Sequence, residues 1–88
     1  MRQYRVLFKT SADRALKKLP ENIQRRIVGE VAMLAHNPRP AGVIKLTGAE
    51  NLWRIRIGVY RVVYEIHDDR LVVLVLRVAH RKDVYRGS

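Results

Sequence analysis

From Leu52 to Ala79 the chain is almost entirely strand-like, and no other feature limits the fold as tightly. Residues 52–57, 60–67 and 70–79 are rich in Val, Ile, Leu, Tyr and Trp, with a break at Gly58 and turn chemistry in His67-Asp68-Asp69,. Connections this short predict antiparallel neighbours, because a parallel return needs a crossover of a dozen or more residues. In 52–57, Trp53, Ile55 and Ile57 fall on one face, and Leu52, Arg54 and Arg56 fall on the other,. In 60–67, Tyr60, Val62, Tyr64 and Ile66 share a face, opposite Arg61, Val63 and Glu65. If Gly58 marks a bulge or tight turn, Arg61 joins Arg54 and Arg56 on one surface. Taken alone, that surface is also what the polar side of any antiparallel sheet offers.

The first half of the chain supplies the cover for the apolar face. Residues 3–9 alternate, with Tyr4, Val6 and Phe8 on one side of a strand,. Ser11 is a candidate N-cap for a short helix over 12–19, where Leu16 and Leu19 form the apolar stripe and Pro20 ends it,. A longer helix is predicted over 21–36: Ile23, Ile27, Val31 and Leu34 recur at helical spacing, and Val28 and Ala35 widen the stripe,. "NPRPAG" at 37–42 ends it, and 43–48 reads as an extended piece followed by a turn at Thr47-Gly48. The order β-α-α-β-β-β predicts an α+β fold, a helical hairpin packed on a small antiparallel sheet. With 88 residues and no linker or repeat, one domain over 1–88 is expected,.

Charge narrows the function. Lys and Arg number 18 against 8 Asp and Glu, a net charge of +10. A small domain this basic repels itself, and the usual counterpart is a polyanion such as nucleic acid. The last segment, "RVAHRKDVYRGS", adds Arg77, His80, Arg81, Lys82, Tyr85 and Arg86 beside the sheet. Guanidinium groups take phosphates and an aromatic ring stacks on a base; Tyr85 also reads as an apolar anchor for the tail, and a lone histidine such as His80 is more often structural. The absence of cysteine fits a reducing compartment, the N-terminus lacks the apolar core of a signal peptide, and "LVVLVL" at 71–76 is too short to span a bilayer,. His36, His67 and His80 lie in separate segments, the carboxylates are scattered, and there is no glycine-rich phosphate loop,. No metal or cofactor is therefore expected. A nuclease built this way relies on cationic stabilisation and the RNA 2′-hydroxyl.

Three blocks are specific enough to carry a resemblance: "YRVLFKTSADRALKKLP"; Lys-Leu-x-Gly followed by Trp-Arg-x-Arg-x-Gly-x-Tyr-Arg-x-x-Tyr; and "HRKDVY" at 80–85. They resemble the RelE/ParE superfamily of bacterial and archaeal toxins, and within it the RelE-type mRNA interferases. The resemblance covers nearly the whole chain. It implies a toxin of a type II toxin–antitoxin system, an endoribonuclease that cuts mRNA in the ribosomal A site without a metal ion. It also implies a RelB-like antitoxin as partner, contact with the ribosome, its rRNA and mRNA, operator DNA reached only through the antitoxin, no membrane, and a cytoplasmic location. Carried over by position, Arg54 and Arg56 bind substrate phosphates, Arg61, Arg81 and Tyr85 are catalytic, and His80 is an auxiliary acid or base. Some relatives carry lysine where this chain has Arg54 and Arg56; arginine does not release its proton, so these two clamp phosphate rather than shuttle protons. ParE-like relatives of the same fold inhibit DNA gyrase, which is the alternative activity.

Overall fold

The computed structural model describes residues 3–48 and 51–83. Its elements are β1 (Arg5–Phe8), α1 (Thr10–Lys17), α2 (Glu21–Ala32) running into a 3-10 turn (Met33–Ala35), β2 (Ile44–Lys45), β3 (Leu52–Ile57), β4 (Tyr60–His67) and β5 (Val72–His80). The sheet has five strands in the order β1-β5-β4-β3-β2. The antiparallel run predicted for 52–79 is present, while β1 lies parallel to β5, so the first strand pairs with the last. Both helices cover one face, and the expected α+β architecture holds.

Several local expectations need correction. The segment 43–48 contributes a fifth strand, because Ile44 pairs with Arg54 and Lys45 with Trp53; two residues are too few for periodicity to reveal. Ser11 is not the N-cap of α1. Lys9 occupies that position without a side-chain bond. Its N–H completes the sheet ladder to the Val75 carbonyl while its own carbonyl accepts the Asp13 N–H. The chain thus turns from strand into helix with no residue to spare for a cap. Helix α1 stops at Lys17, and the Gln24 side chain donates to the carbonyls of Lys17 and Leu19 instead. Helix α2 stops at Ala32 rather than His36. Val28 is 46% exposed and does not widen the stripe, whereas Ile27, Val31 and Leu34 are fully buried. Strand β5 begins at Val72, two residues late, after a turn in which Leu71 takes a positive φ of 52°, a conformation costly for a branched side chain.

The core between sheet and helices contains Ile55, Ile57, Val62, Tyr64, Ile66, Val73, Val75 and Val78 on the sheet side and Ala12, Leu16, Ile27, Val31 and Leu34 on the helix side. Val6, Phe8, Ile23 and Trp53 pack against its rim. A bulge shapes one end. The β4–β5 register runs Val63 to Arg77 but Tyr64 to Val75, leaving Leu76 as the extra residue,. Without it, Arg77 would share a face with Val73 and Val75. With it, Val78 turns into the core and Arg77 turns outward.

Two polar ties fasten the loop after α2. The buried Tyr64 hydroxyl donates to the Pro38 carbonyl at 2.7 Å, and burial pushes its pKa up to about 12. Asp68 accepts from the Tyr4 hydroxyl and from both terminal nitrogens of Arg39; the bond to Asp68 holds the Tyr4 phenol above its usual pKa, and Arg39 works against that shift. Arg39 in turn lies 5.0 Å from the Trp53 ring centroid.

Candidate functional site

Directly opposed residues on antiparallel strands project to the same side. Arg56 opposes Arg61 and Arg54 opposes Val63, so all three arginines stand on the sheet face that the helices leave open. The connection that makes this possible is Gly58-Val59, with φ of +59° at Gly58 and no positive φ at Val59. That pattern is a type II′ turn, which needs glycine first and matches the twist of the strands. Gly58 is therefore a tight turn, not a bulge. Arg61 bends back onto it and donates from Nη1 to the carbonyls of Gly58 (3.1 Å) and Tyr60 (3.0 Å).

The end of β5 meets the same hairpin. Ala79 opposes Arg61 and His80 opposes Tyr60. The Arg81 N–H then donates to the Val59 carbonyl at 2.7 Å, which sets the exposed Arg81 beside the hairpin tip. A short turn follows: the Asp83 N–H donates to the His80 carbonyl, and Arg77 reaches from the open face to donate to the Asp83 carbonyl. The Lys82 N–H donates to His80 Nδ1 at 3.2 Å. This leaves the ring proton on Nε2, so in this tautomer His80 offers a donor and no acceptor. Its ring stands edge-on to Tyr60, with centroids 5.8 Å apart and planes at 79°. Tyr85 and Arg86 lie outside the described residues.

The face is electrostatically one-sided near the hairpin tip. Arg56 has no carboxylate partner among the described residues, and it faces another arginine across the strands. The carboxylate on the same face, Glu65, is engaged with His67 Nε2 at 2.8 Å, while Arg70 approaches His67 Nδ1 at 3.0 Å. Like charges directly opposed on a sheet are destabilising. Such a surface is suited to hold an anion that spans both strands, and guanidinium forks fit the paired oxygens of a phosphate. Among the described residues no group of His, Asp and Glu side chains could hold a metal ion.

The structure thus brings Arg54, Arg56 and Arg61 onto one face and sets Arg81 and His80 at its edge. The placement of Arg77 on that face was not readable from strict alternation, since it depends on the bulge at Leu76. No helix among the described residues is long and apolar enough to cross a membrane.

Comparison with known proteins agrees on fold and family. The fold is that of the RelE toxins: the toxin in the archaeal RelE–RelB complex from Pyrococcus horikoshii OT3 superposes with a TM-score of 0.81 at 32% identity, over 92% of this chain and 98% of that one. The family described as the ParE toxin of type II toxin–antitoxin systems matches residues 6–85, and the chain belongs to this RelE/ParE superfamily of toxins. Toxin RelG of Mycobacterium tuberculosis is 39% identical over 94% of this chain and 97% of its own length. Toxin RelE of the same organism is 37% identical over 94% of this chain and 87% of its own.

Proposed function

We propose that the chain is a metal-independent endoribonuclease that cuts mRNA in the ribosomal A site and so stops translation. The observation that carries this reading is the directly opposed Arg56–Arg61 pair at a hairpin tip, with Arg54 two residues along and Arg81 tied to the same tip. In this reading Arg54 and Arg56 hold phosphates flanking the cut. Arg61, preset by its bonds to Gly58 and Tyr60, neutralises the charge that builds on the phosphorane oxygens,. The substrate 2′-hydroxyl attacks the adjacent phosphorus, the P–O bond to the 5′-oxygen breaks, and the products are a 2′,3′-cyclic phosphate and a 5′-hydroxyl. Tyr85 takes the 2′-proton, a role that requires neighbouring cations to lower the pKa of its phenol. Arg81 steadies the leaving oxygen. His80 is the auxiliary acid or base, and the leaving 5′-oxygen takes its proton from water or from a His80 ring protonated on both nitrogens.

The partner in this reading is a RelB-like antitoxin with an acidic segment that orders on binding, drawn to a chain of charge +10,. Support comes from the complexes in which similar toxins were solved with RelB. The antitoxin covers the arginine face or displaces the C-terminal tail, it alone contacts operator DNA, and the pair works in the cytoplasm.

The ParE description of the family favours a second reading, a gyrase inhibitor without chemistry of its own. Primer extension on mRNA from cells expressing the protein separates the two. Discrete codon-phased stops are expected; intact transcripts accompanied by a DNA-damage response would establish the gyrase reading instead.

A further inference from the structure

Helix cations on this protein divide into two groups. Lys17 pairs with Asp13 at 2.9 Å, Arg25 with Glu21 at 3.7 Å and Arg26 with Glu30 at 3.6 Å. Arg14 and Lys18 have no carboxylate partner among the described residues; Arg14 lies in the last turn of α1 and Lys18 is its C-cap. Both line a cleft of about 500 Å³ between α1 and the end of β5. The cleft's other wall includes Tyr60 and His80, the edge-on aromatic pair, with Ser11 at one side and Asp83 at another. It lies on the helix side of the sheet, while the arginine cluster lies on the open side. The two are separated only by the sheet's end, where Arg81 follows His80.

We propose that this cleft is a nucleotide subsite, taking one nucleotide of the RNA strand next to the bonds held by the arginine face. The inference rests on the endoribonuclease reading for its context and on the cleft for its chemistry. The volume is enough for one nucleotide, held in a cleft that stays open to solvent on one side,. Arg14 and Lys18 hold the phosphate, and the Tyr60–His80 pair offers an aromatic surface for the base. Asp83 on the lining brings acceptor oxygens that suit a base with an exocyclic amine, which a bare anion lacks,. The strand would therefore turn over the end of β4 and β5 between the two sites, and the proton on His80 Nε2 would lie at the crossing.

The test is an NMR titration of the whole chain with adenosine 5′-monophosphate, and separately with inorganic phosphate, in wild type and in the double variant Arg14→Ala, Lys18→Ala. Both side chains are exposed, Arg14 in the last turn of α1 and Lys18 at its C-cap, and neither makes a bond that holds the fold, so the fold is kept,. Saturable shifts at the amides of Ser11, Ala15 and Ala79 are expected with the nucleotide. Phosphate alone should bind much more weakly, and the double variant should lose about tenfold or more in nucleotide affinity, the value of one charge-assisted bond. Shifts confined to the Arg54–Arg61 face, unchanged affinity in the variant, or equal affinity for phosphate alone would each overturn the subsite. So would a variant that loses its antitoxin while keeping the nucleotide, because the cleft would then belong to a protein partner. The two readings fail separately. Ribosome-dependent cleavage without nucleotide in the cleft removes the subsite and leaves the enzyme; nucleotide in the cleft without cleavage removes the enzyme and leaves an RNA-binding site.

Discussion

If the open-face arginines serve a ligand and not the fold, removing one should make the protein more stable as it makes it less active. Arg56 is the sharpest case. It is exposed, has no carboxylate partner among the described residues, directly opposes Arg61 and shares its strand face with Arg54. Two unit charges about 6 Å apart repel by about 0.7 kcal/mol at the dielectric of water, and Arg56 has two such neighbours. Screening and side-chain spreading reduce the sum, leaving a gain of about 0.5–1 kcal/mol for Arg56→Gln at low ionic strength. Glutamine keeps much of the aliphatic stem, so packing changes little. Urea is the right denaturant because it adds no ions. With a slope of about 1 kcal/mol/M for a domain this small, the midpoint should rise by about 0.5–1 M. At 1 M NaCl, where the Debye length is about 3 Å, the gain should vanish. Cleavage of ribosome-bound mRNA by the same variant should fall by about tenfold or more, as expected for one lost charge-assisted phosphate contact. A variant less stable than wild type at low salt would refute the reasoning, and so would a gain that survives 1 M salt; either would give Arg56 a structural role.

Other consequences follow from the same structure. Ile27 is 0% exposed between α2 and the sheet, so Ile27→Ala should lower unfolding free energy by about 2–5 kcal/mol in urea titrations,; an unchanged midpoint would place that stripe elsewhere. Tyr64 holds its proton to about pH 12 when folded, against about pH 10 when unfolded, so its contribution is full below pH 10 and is lost as pH rises to 12,. Tyr64→Phe should be less stable than wild type at pH 7, by about 1–2 kcal/mol for the lost bond to the Pro38 carbonyl; between pH 10 and 12 wild type should lose up to about 3 kcal/mol relative to the variant, so the gap should close and then reverse, and a gap constant with pH would contradict the burial account,. Arg61→Ala and Arg81→Ala should each cut the cleavage rate by about 10²–10³ with the fold retained by circular dichroism. For Tyr85, phenylalanine as damaging as alanine identifies a proton acceptor, while phenylalanine near wild-type activity identifies a stacking ring.

Much of this was legible because alternation is a local signal. Trp53, Ile55 and Ile57 on one side and Arg54 and Arg56 on the other could be read from six residues, and the structure agrees. The glycine at 58 signalled a reversal, and it is one. What could not be read depended on partners distant in sequence. The parallel pairing of β1 with β5 joins the two ends of the chain, and the Tyr4–Asp68 bond spans 64 residues. The bulge at Leu76 leaves no mark in a run of Val, Leu and Arg, because each residue is as acceptable in one phase as in the other; yet it decides that Arg77 faces outward. Ser11 failed as a cap because the ladder bond at Lys9 fixes where the helix begins, and side-chain preference yields to it,. The cleft at Arg14 and Lys18 likewise depends on β5 closing against α1.

The central claim is chemical: the arginine face supports attack by the substrate's own 2′-hydroxyl. It is tested most directly with ribosomes programmed with two matched mRNAs, identical except for a single 2′-deoxynucleotide on the 5′ side of the mapped cut. The all-ribose message should be cleaved to a 2′,3′-cyclic phosphate and a 5′-hydroxyl, and the deoxy message should stay intact at that position. Equal cleavage of both messages, or no cleavage of the all-ribose message, would contradict the account.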